Sequence, residues 1–519
     1  MSQKVRYAGG DALAKVHWTN GTQTRMACRA CGIESDMAHV ISVPHVLLDK
    51  PSMGFNRCSA CGTLNCDLTV FTDYDEDNAF TENAQWMRHY LQSGAGIDFM
   101  IRPLQRIGMR GQLSLLDVGC GVGFTVSYWN WAKGDGHGVE PSAYGRLGSR
   151  ILDDSIIPDY LSDVPALNGR KFDRVFSSEV IEHVNDTASF VAELKAVTAQ
   201  DGILVLTTPN AGYIDPLNPL GVLMAALSPG LHRLLFSQQA LEDLLRRTGF
   251  AYVSVLEVNE RLIAYASEVP FERIEDPAAE RKSYVRYLLD KSATADDPDL
   301  LSGLLFRAFK EQVNAGDFDG ALSTANALLA LIQGTYELDP ANPETMRERV
   351  LRTSTFEEFG MVAPYFTPAY LYYAAMLTLQ GKAFLPDALR GFEVAAELIQ
   401  HGIALAPSLF QEAASLYWPA KLHVAIAAMR LDQHDKAKAV LQEILDGDSH
   451  MMARPDNALQ LRALRELGVA TLQSGEPERA MALFRQIAER APHMRADVVG
   501  LYTTAHGQAQ ERIRPFLKA

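Results

Sequence analysis

The stretch "SLLDVGCGVGFT", residues 114–125, sets an aliphatic run against an acid, Asp117, and then places glycine at every second position, Gly119, Gly121 and Gly123. Glycine adopts backbone conformations that other residues resist, so this run after a strand predicts a tight strand-to-helix turn that a ligand can approach closely. The spacing departs from the G-x-G-x-x-G pattern that seats a dinucleotide pyrophosphate on a helix N-terminus. A different ligand is therefore expected.

From residue 113 onward, short β-branched runs alternate with helical stretches: "LSLLDV", "HGVE", "RVFSSE" and "GILVLTTP", with "AYVSVLEV" and "RLIAYA" closing the series. That alternation predicts an α/β fold with a doubly wound, mostly parallel sheet, in which ligands sit beyond the carboxyl ends of the strands. The glycine turn falls at such an end, and so does Glu140, 19 residues after Gly121. A carboxylate placed there suits the two hydroxyls of a ribose. "FDRVFSSEVIEHV" then carries Glu179, Glu182 and His183 just past a further strand.

With the acid and alternating glycines, Glu140, "EVIEHV" and "DGILVLTTPN" in this order, residues 85–265 resemble the class I S-adenosylmethionine-dependent methyltransferases. The resemblance implies a seven-stranded sheet and S-adenosylmethionine as cofactor. It also implies that Gly119, Gly121 and Gly123 admit the methionine part, that Asp117 orients the turn and the cofactor's amino group, and that Glu140 holds the ribose. The adenine contact is expected in "IIPDYLSDV", where Tyr160 is chosen over Asp159 and Leu161, and Glu179 joins the cofactor-binding set. His183 lies in a segment that faces the cofactor in the similar ubiquinone-pathway O-methyltransferases. It is the candidate catalytic base for an acceptor hydroxyl, because imidazole titrates near neutrality. The alternative for His183 is capping the next helix or positioning the cofactor, with Glu179 or Glu182 serving as base. Cys120 is read as a small packing residue.

Two flanking stretches complete this picture. "AGYIDPLNPLGVLMAALSPGLHRLLFSQQALEDLL" corresponds to a lid over the acceptor in relatives, which makes Tyr213 and His232 candidate acceptor contacts. "AFTENAQWMRHYLQSGAGIDFMIRPL" is expected to be helical and to close the other side of the cofactor pocket.

Five of the six cysteines lie between residues 28 and 66, and four form two Cys-x-x-Cys-Gly units, Cys28 with Cys31 and Cys58 with Cys61. Two such knuckles can present four thiolates at tetrahedral angles, so a structural zinc ribbon is the expected reading and a redox dithiol pair the alternative. Cys66 is expected to pack as an apolar side chain, with replacement of a ligand as its other role, and His39 and His45 are left out of the zinc set. A hairpin in "HVISVPHVLL" would bridge the 26-residue gap between the pairs.

Residues 300–519 show apolar spacing of three and four, which predicts an all-helical region. Gly316, Asp432 and Gly475 are each followed five positions later by alanine, Ala321, Ala437 and Ala480. These positions resemble the helix–turn–helix junctions of tetratricopeptide repeats, though their separations of 116 and 43 residues exceed the standard period of about 34. The expected domains are therefore a zinc ribbon over 1–75, a methyltransferase domain over 76–270, a linker or helical junction over 271–299 and a tetratricopeptide-like domain over 300–519.

The formal charge of −15 disfavours a nucleic-acid partner. No window approaches the roughly 18 apolar residues that cross a bilayer, and the first residues lack a signal-peptide core, so a cytoplasmic location is expected. The sequence thus points to O-methylation of a small-molecule or saccharide acceptor, related by analogy to surface-polysaccharide modification, with a protein partner for the helical repeats. Methylation of a protein, or less readily of RNA, is the alternative. A scaffold with a vestigial methyltransferase fold is a third reading. The sequence leaves acceptor identity and oligomeric state open.

Overall fold

The computed structural model describes residues 16–19, 21–45, 52–67, 84–94, 97–108, 112–218, 220–339, 341–380, 384–447 and 454–513. They divide into two compact units. The first comprises Met1–Glu311, Thr355–Tyr365 and Leu405–Leu409, and the second comprises Gln312–Ser354, Phe366–Ala404 and Phe410–Ala519.

The first unit contains two sheets. Near the N-terminus lie β1 (His17–Trp18), β2 (Gln23–Ala27), β3 (Glu34–Val43), β4 (Met53–Arg57) and β5 (Leu64–Cys66). The seven-stranded sheet is built from β6 (Ser114–Val118), β7 (Asp135–Val139), β8 (Ile156–Ile157), β9 (Phe172–Ser178), β10 (Thr198–Pro209), β12 (Tyr252–Val258) and β13 (Arg261–Ser267). Its order is β12-β13-β10-β9-β6-β7-β8, with β8 through β10 parallel and β12 and β13 antiparallel. Central strands covered on both faces read as unbroken apolar runs, and Leu115, Leu116, Val175, Phe176, Leu204 and Val205 are accordingly buried. The chain leaves β6 for β7 on one side and returns to β9 on the other, which opens a crevice at the carboxyl ends beside β6.

The expected lid over 211–245 has a different role. Its short strand β11 (Leu234–Leu235) pairs antiparallel with β5 and so extends the N-terminal sheet. Its helix Leu220–Leu227 packs Leu223, Met224 and Leu227 against Ile41, Val43, Met53 and Phe55. The apolar middle of this stretch is thus the docking face for the cysteine-bearing sheet. Among the hairpin positions expected in "HVISVPHVLL", His39–Val43 belong to β3 and 46–48 lie outside the described residues.

Residues 271–299, expected as a linker or junction, contain the helix Pro277–Ser292. Its Tyr284, Tyr287 and Leu288 pack with Ile101, Phe124 and Tyr128, which draws the boundary of the first unit on to Glu311. The expected boundary at 75/76 lies outside the described residues.

In the second unit every element among the described residues is helical. The three positions singled out by sequence are helix-to-helix turns of one kind. Gly316, Asp432 and Gly475 each have positive φ (74°, 58° and 77°). The next residue's N–H reaches five positions back in each case, from Asp317 to Gln312, Gln433 to Ala428 and Glu476 to Thr471. That is the hydrogen bond of a Schellman cap, which fixes the exit angle of the chain. Ala321, Ala437 and Ala480 are all fully buried.

Leu227→Ala is expected to lower the unfolding free energy by about 2–5 kcal/mol, the cost of deleting a fully buried leucine side chain. A urea titration showing a loss below about 1 kcal/mol would refute the docking role assigned to this helix.

Candidate active site

The turn after β6 has the conformation that its glycines permit. Gly119, Gly121 and Gly123 have φ of 76°, 56° and 84°, and a Cβ at these positions would collide with Val180, Tyr90 and Ile156 respectively. The Gly121 N–H donates to Glu140 Oε2 at 3.2 Å and the Ser142 N–H to Glu140 Oε1 at 3.0 Å. Glu140 therefore joins the first turn to the end of β7 and has both oxygens directed at backbone donors.

A cavity of about 590 Å³ opens at these strand ends. Gly119, Glu140, Ser142, Asp159, Tyr160 and Leu161 line one part, and Phe99, Met100, Glu179, Val180, His183, Val184 and Phe190 another. Phe99 and Met100 come from the helix Ile97–Arg106, which closes the cavity from the side expected for the pre-core segment. Tyr90 and Tyr144 also line it, with ring centroids 4.7 Å apart. Sequence reasoning flagged the stretch containing Tyr90, Phe99 and Met100 without naming them. Their helical spacing is equally that of core residues.

Asp117, Gly121 and Gly123 do not line this cavity. Asp117 lies fully buried inside β6, where Oδ2 accepts a hydrogen bond from Thr125 Oγ1 and Oδ1 has no partner among the described residues. Burial pushes its pKa up to about 7, the Thr125 hydroxyl opposes that, and the Glu140 charge adds to it. Asp117 thus ties the strand to the helix after the turn. Cys120 is buried and packs with Val126 and Ile156.

The "EVIEHV" segment places Glu179 at φ 57°, a left-handed conformation sparsely used by residues with a side chain. Its carboxyl accepts from Thr207 Oγ1 at 3.0 Å, and burial raises its pKa. His183 lines the cavity, and its Nδ1 faces the Leu231 carbonyl at 3.1 Å. Burial lowers its pKa to about 4, so the ring is neutral near pH 7 and a weaker base than free imidazole. His232 is buried beside it, the ring centroids 4.6 Å apart, and does not line the cavity. Tyr213 packs beside the N-terminal sheet instead.

The two cysteine knuckles converge. Cys28 Sγ lies 3.6 Å from Cys61 Sγ, and Cys31 Sγ lies 3.8 Å from Cys58 Sγ. All four sulfurs are within 4.8 Å of one another. A tetrahedral ion with metal–sulfur bonds of about 2.3 Å has sulfurs about 3.8 Å apart, so the four thiols fit such an ion. The turns Gly32 and Gly62 have φ of 74° and 78°, and each N–H donates to the first cysteine's carbonyl. Cys66 and His39 lie outside the cluster; the His39 ring bonds Ser42 Oγ.

The strand order and the crevice define a doubly wound α/β domain with a cavity at its topological switch point, where ligands of such folds bind. Residues 87–255 match the family described as a methyltransferase domain. The chain is 34% identical over 105 residues to the ubiquinone biosynthesis O-methyltransferase of Rhodopseudomonas palustris strain HaA2, covering 20% of this chain and 42% of the relative. It is 28% identical over 116 residues to the protein of that name from Bradyrhizobium diazoefficiens, covering 22% and 46%. The chain thus spans less than half the length of these curated relatives. A solved S-adenosylmethionine-dependent methyltransferase from Aquifex aeolicus aligns with 17% identity and a TM-score of 0.28 over 36% of this chain and 98% of that one. The chain carries a class I S-adenosylmethionine-dependent methyltransferase domain.

The buried Asp117 carboxyl carries a pH signature. Its folded pKa of about 7 exceeds the 3.8 of an unperturbed carboxyl, so between those values the folded cofactor-free protein holds a proton that the unfolded chain has lost. Stability conferred through this group is therefore lost as pH rises from about 4 to about 7. Urea titrations of wild type and Asp117→Asn across this window should show the difference moving steadily in the variant's favour with pH. A constant difference would refute the perturbed titration.

Proposed function

We propose that this chain transfers the methyl group of S-adenosylmethionine to a hydroxyl oxygen of a small-molecule or saccharide acceptor. The observation that carries this reading is the Glu140 carboxylate, bonded to the glycine turn and exposed to the cavity that continues to Glu179 and His183. In this reading Glu140 holds the ribose diol, Tyr160 lies over the adenine, and the backbone at Gly119 admits the methionine part, with Gly121 and Gly123 shaping the turn. Asp117 acts through the turn, since it does not reach the cavity. Glu179 sits between cofactor and acceptor.

Transfer from a sulfonium is an in-line displacement, so the protein mainly aligns the acceptor oxygen, methyl and sulfur and keeps water out. Phe99, Met100, Val184 and Phe190 give the acceptor side an apolar wall, which favours a small molecule with an apolar or aromatic body over a saccharide. In this reading His183, which lines the cavity beside Val184, is the group that faces the acceptor hydroxyl. The helical second unit is read as a tetratricopeptide-like surface for a protein partner. Among the described residues no helix is long and apolar enough to cross a membrane.

Calorimetry with S-adenosylmethionine tests the cofactor assignment. Glu140→Ala removes two charge-assisted ribose bonds and is expected to weaken binding at least about 100-fold, at about 1.5–3 kcal/mol per bond to a charged group. Absence of heat with the wild type would support the vestigial scaffold instead. Labelled cofactor incubated with a fractionated extract is expected to mark small molecules; label confined to polypeptide would sink the acceptor class.

The four cysteines are proposed to hold structural zinc, four thiolates leaving no position for substrate. Chelation is expected to unfold β2 to β5, seen as loss of amide-exchange protection over residues 21–67. Retained protection without metal would overturn the assignment.

A further inference from the structure

The helix Ile97–Arg106 brings Phe99 and Met100 to the cavity, yet its own sequence cannot hold it firmly. It has ten residues with Pro103 inside it. Proline has no N–H, so the Phe99 carbonyl lacks its helical donor, and a helix this short is marginal in water without outside support. The position of the cavity wall is therefore set by what the helix packs against.

That support comes from the helices Pro277–Ser292 and Pro298–Ala315, both beyond residue 255, where the family match ends. Asp98, Arg102 and Arg106 recur at a spacing of four, which puts them on one stripe of the helix. Asp98 Oδ2 pairs with Lys310 Nζ, and its Oδ1 accepts from the Tyr284 hydroxyl. Arg102 Nη2 lies 3.7 Å from Glu311 Oε1, and Glu311 Oε2 accepts from Arg281 Nε at 2.9 Å. Arg106 Nε lies 3.3 Å from Glu280 Oε1, and Gln105 Nε2 donates to the Glu280 carbonyl at 2.9 Å. Lys310, Glu311 and Glu280 are buried. Burial alone would raise the Asp98 carboxyl, but the Lys310 and Arg307 charges outweigh it and hold the group well below the usual carboxylate range. Apolar side chains of like volume would hold such a seam together as well or better. Charged pairs differ in being directional, each satisfied at one rotation and one axial position of the helix.

We propose that Asp98, Lys310 and Glu311 are positioning residues of the methyl-transfer site, an ion-pair ladder that fixes the helix carrying Phe99 and Met100, so that helices beyond the family match complete the cavity wall. None of the three lines the cavity, so each acts through those two side chains. Arg261 meets the same wall from the sheet, its guanidinium carbon 3.9 Å from the centre of the Phe99 ring. The catalytic consequence rests on the methyl-transfer reading. An acceptor seated against Phe99 and Met100 is in line with the methyl and the sulfur only while that helix is fixed, and a misplacement of about 1 Å costs about 100-fold in rate. The cofactor, held at Glu140 and Gly119 in that reading, does not depend on the ladder.

The test uses the full-length protein and two variants. Lys310→Met leaves the Asp98 carboxylate without its ion-pair partner, whereas Asp98→Asn combined with Lys310→Met removes both charges and leaves no unpaired ion, so the fold is kept. Both variants are expected to bind S-adenosylmethionine within about 3-fold of wild type by calorimetry. At saturating labelled cofactor, both should label the extract fraction that wild type labels about 10–100-fold more slowly. Amide exchange over residues 97–106 should be about 10-fold faster in both, with β6 to β10 unchanged. Unchanged exchange over that helix overturns the ladder. Faster exchange with wild-type label transfer overturns the positioning role. Parallel loss of cofactor binding and transfer with a lowered urea midpoint in the double variant also overturns it, since a merely structural pair behaves in that way. Wild type that shows the exchange difference but binds no cofactor keeps the ladder and overturns the methyl-transfer reading.

Discussion

The residues Leu231–Leu235 are the constraint on which the first unit depends. The Arg233 N–H donates to the Glu182 carbonyl at 2.9 Å and its Nε to the His183 carbonyl at 2.7 Å, while its own carbonyl accepts from the Cys66 N–H at 3.0 Å. The Leu231 carbonyl faces the His183 ring, and Leu234–Leu235 pair with Leu64–Asn65. Five consecutive residues therefore join the cysteine-bearing sheet to the backbone of the cavity wall. Most of these bonds are backbone bonds in a buried setting, where a lost partner leaves a donor or acceptor unsatisfied. The cysteine-bearing sheet and the cavity wall are thereby one structural object.

The knuckles reinforce this joint from the other side. The carbonyls of Arg29, Ala30 and Cys61 accept from Thr187, Arg247 and Ser237, and Arg29 donates to the Cys66 carbonyl at 2.8 Å. Thr187 opens the helix that follows "EVIEHV", and Ser237 caps the helix Gln238–Arg247. An ion held by the thiols would fix the loops that supply these carbonyls. Such an ion would then bear on the placement of His183 and Glu182.

The sheet and the glycine turn were legible because each rests on a local rule. Buried parallel strands demand unbroken apolar runs, and the turn demands positive φ at three alternate positions, which only glycine supplies cheaply. The convergence of the four thiols was legible because the two Cys-x-x-Cys-Gly units have the spacing of paired metal-binding knuckles. What stayed hidden depends on pairings between distant segments. β11 has two residues, too few for any periodicity, and its partner β5 lies far upstream. His232 is 49 residues from His183, and nothing in the local sequence of either says that their rings meet. Asp117 was assigned to the cofactor because its position in the motif is visible, whereas its burial behind the turn is a property of the assembled sheet.

The cavity wall at "EVIEHV" gathers several unfavourable features. Glu179 adopts a left-handed backbone, Glu182 is buried with an unpartnered oxygen, and two neutral imidazoles stand against it. A left-handed non-glycine residue costs on the order of 1–3 kcal/mol, and a buried carboxylate adds more. Apolar residues of similar volume would pack this space at lower cost. Some other polar groups of the unit are tied off, Ser177 to Val118, Asn65 to Arg29 and Asp173 to Ser114, whereas Asp117 Oδ1 behind the glycine turn is also unpartnered among the described residues. Strain that the surroundings hold in place, gathered where the cavity turns from the Glu140 side to the Phe190 side, is what a site for charge transfer requires. On the methyl-transfer reading, that strain would place the chemistry at "EVIEHV" and leave the glycine turn the task of holding the donor.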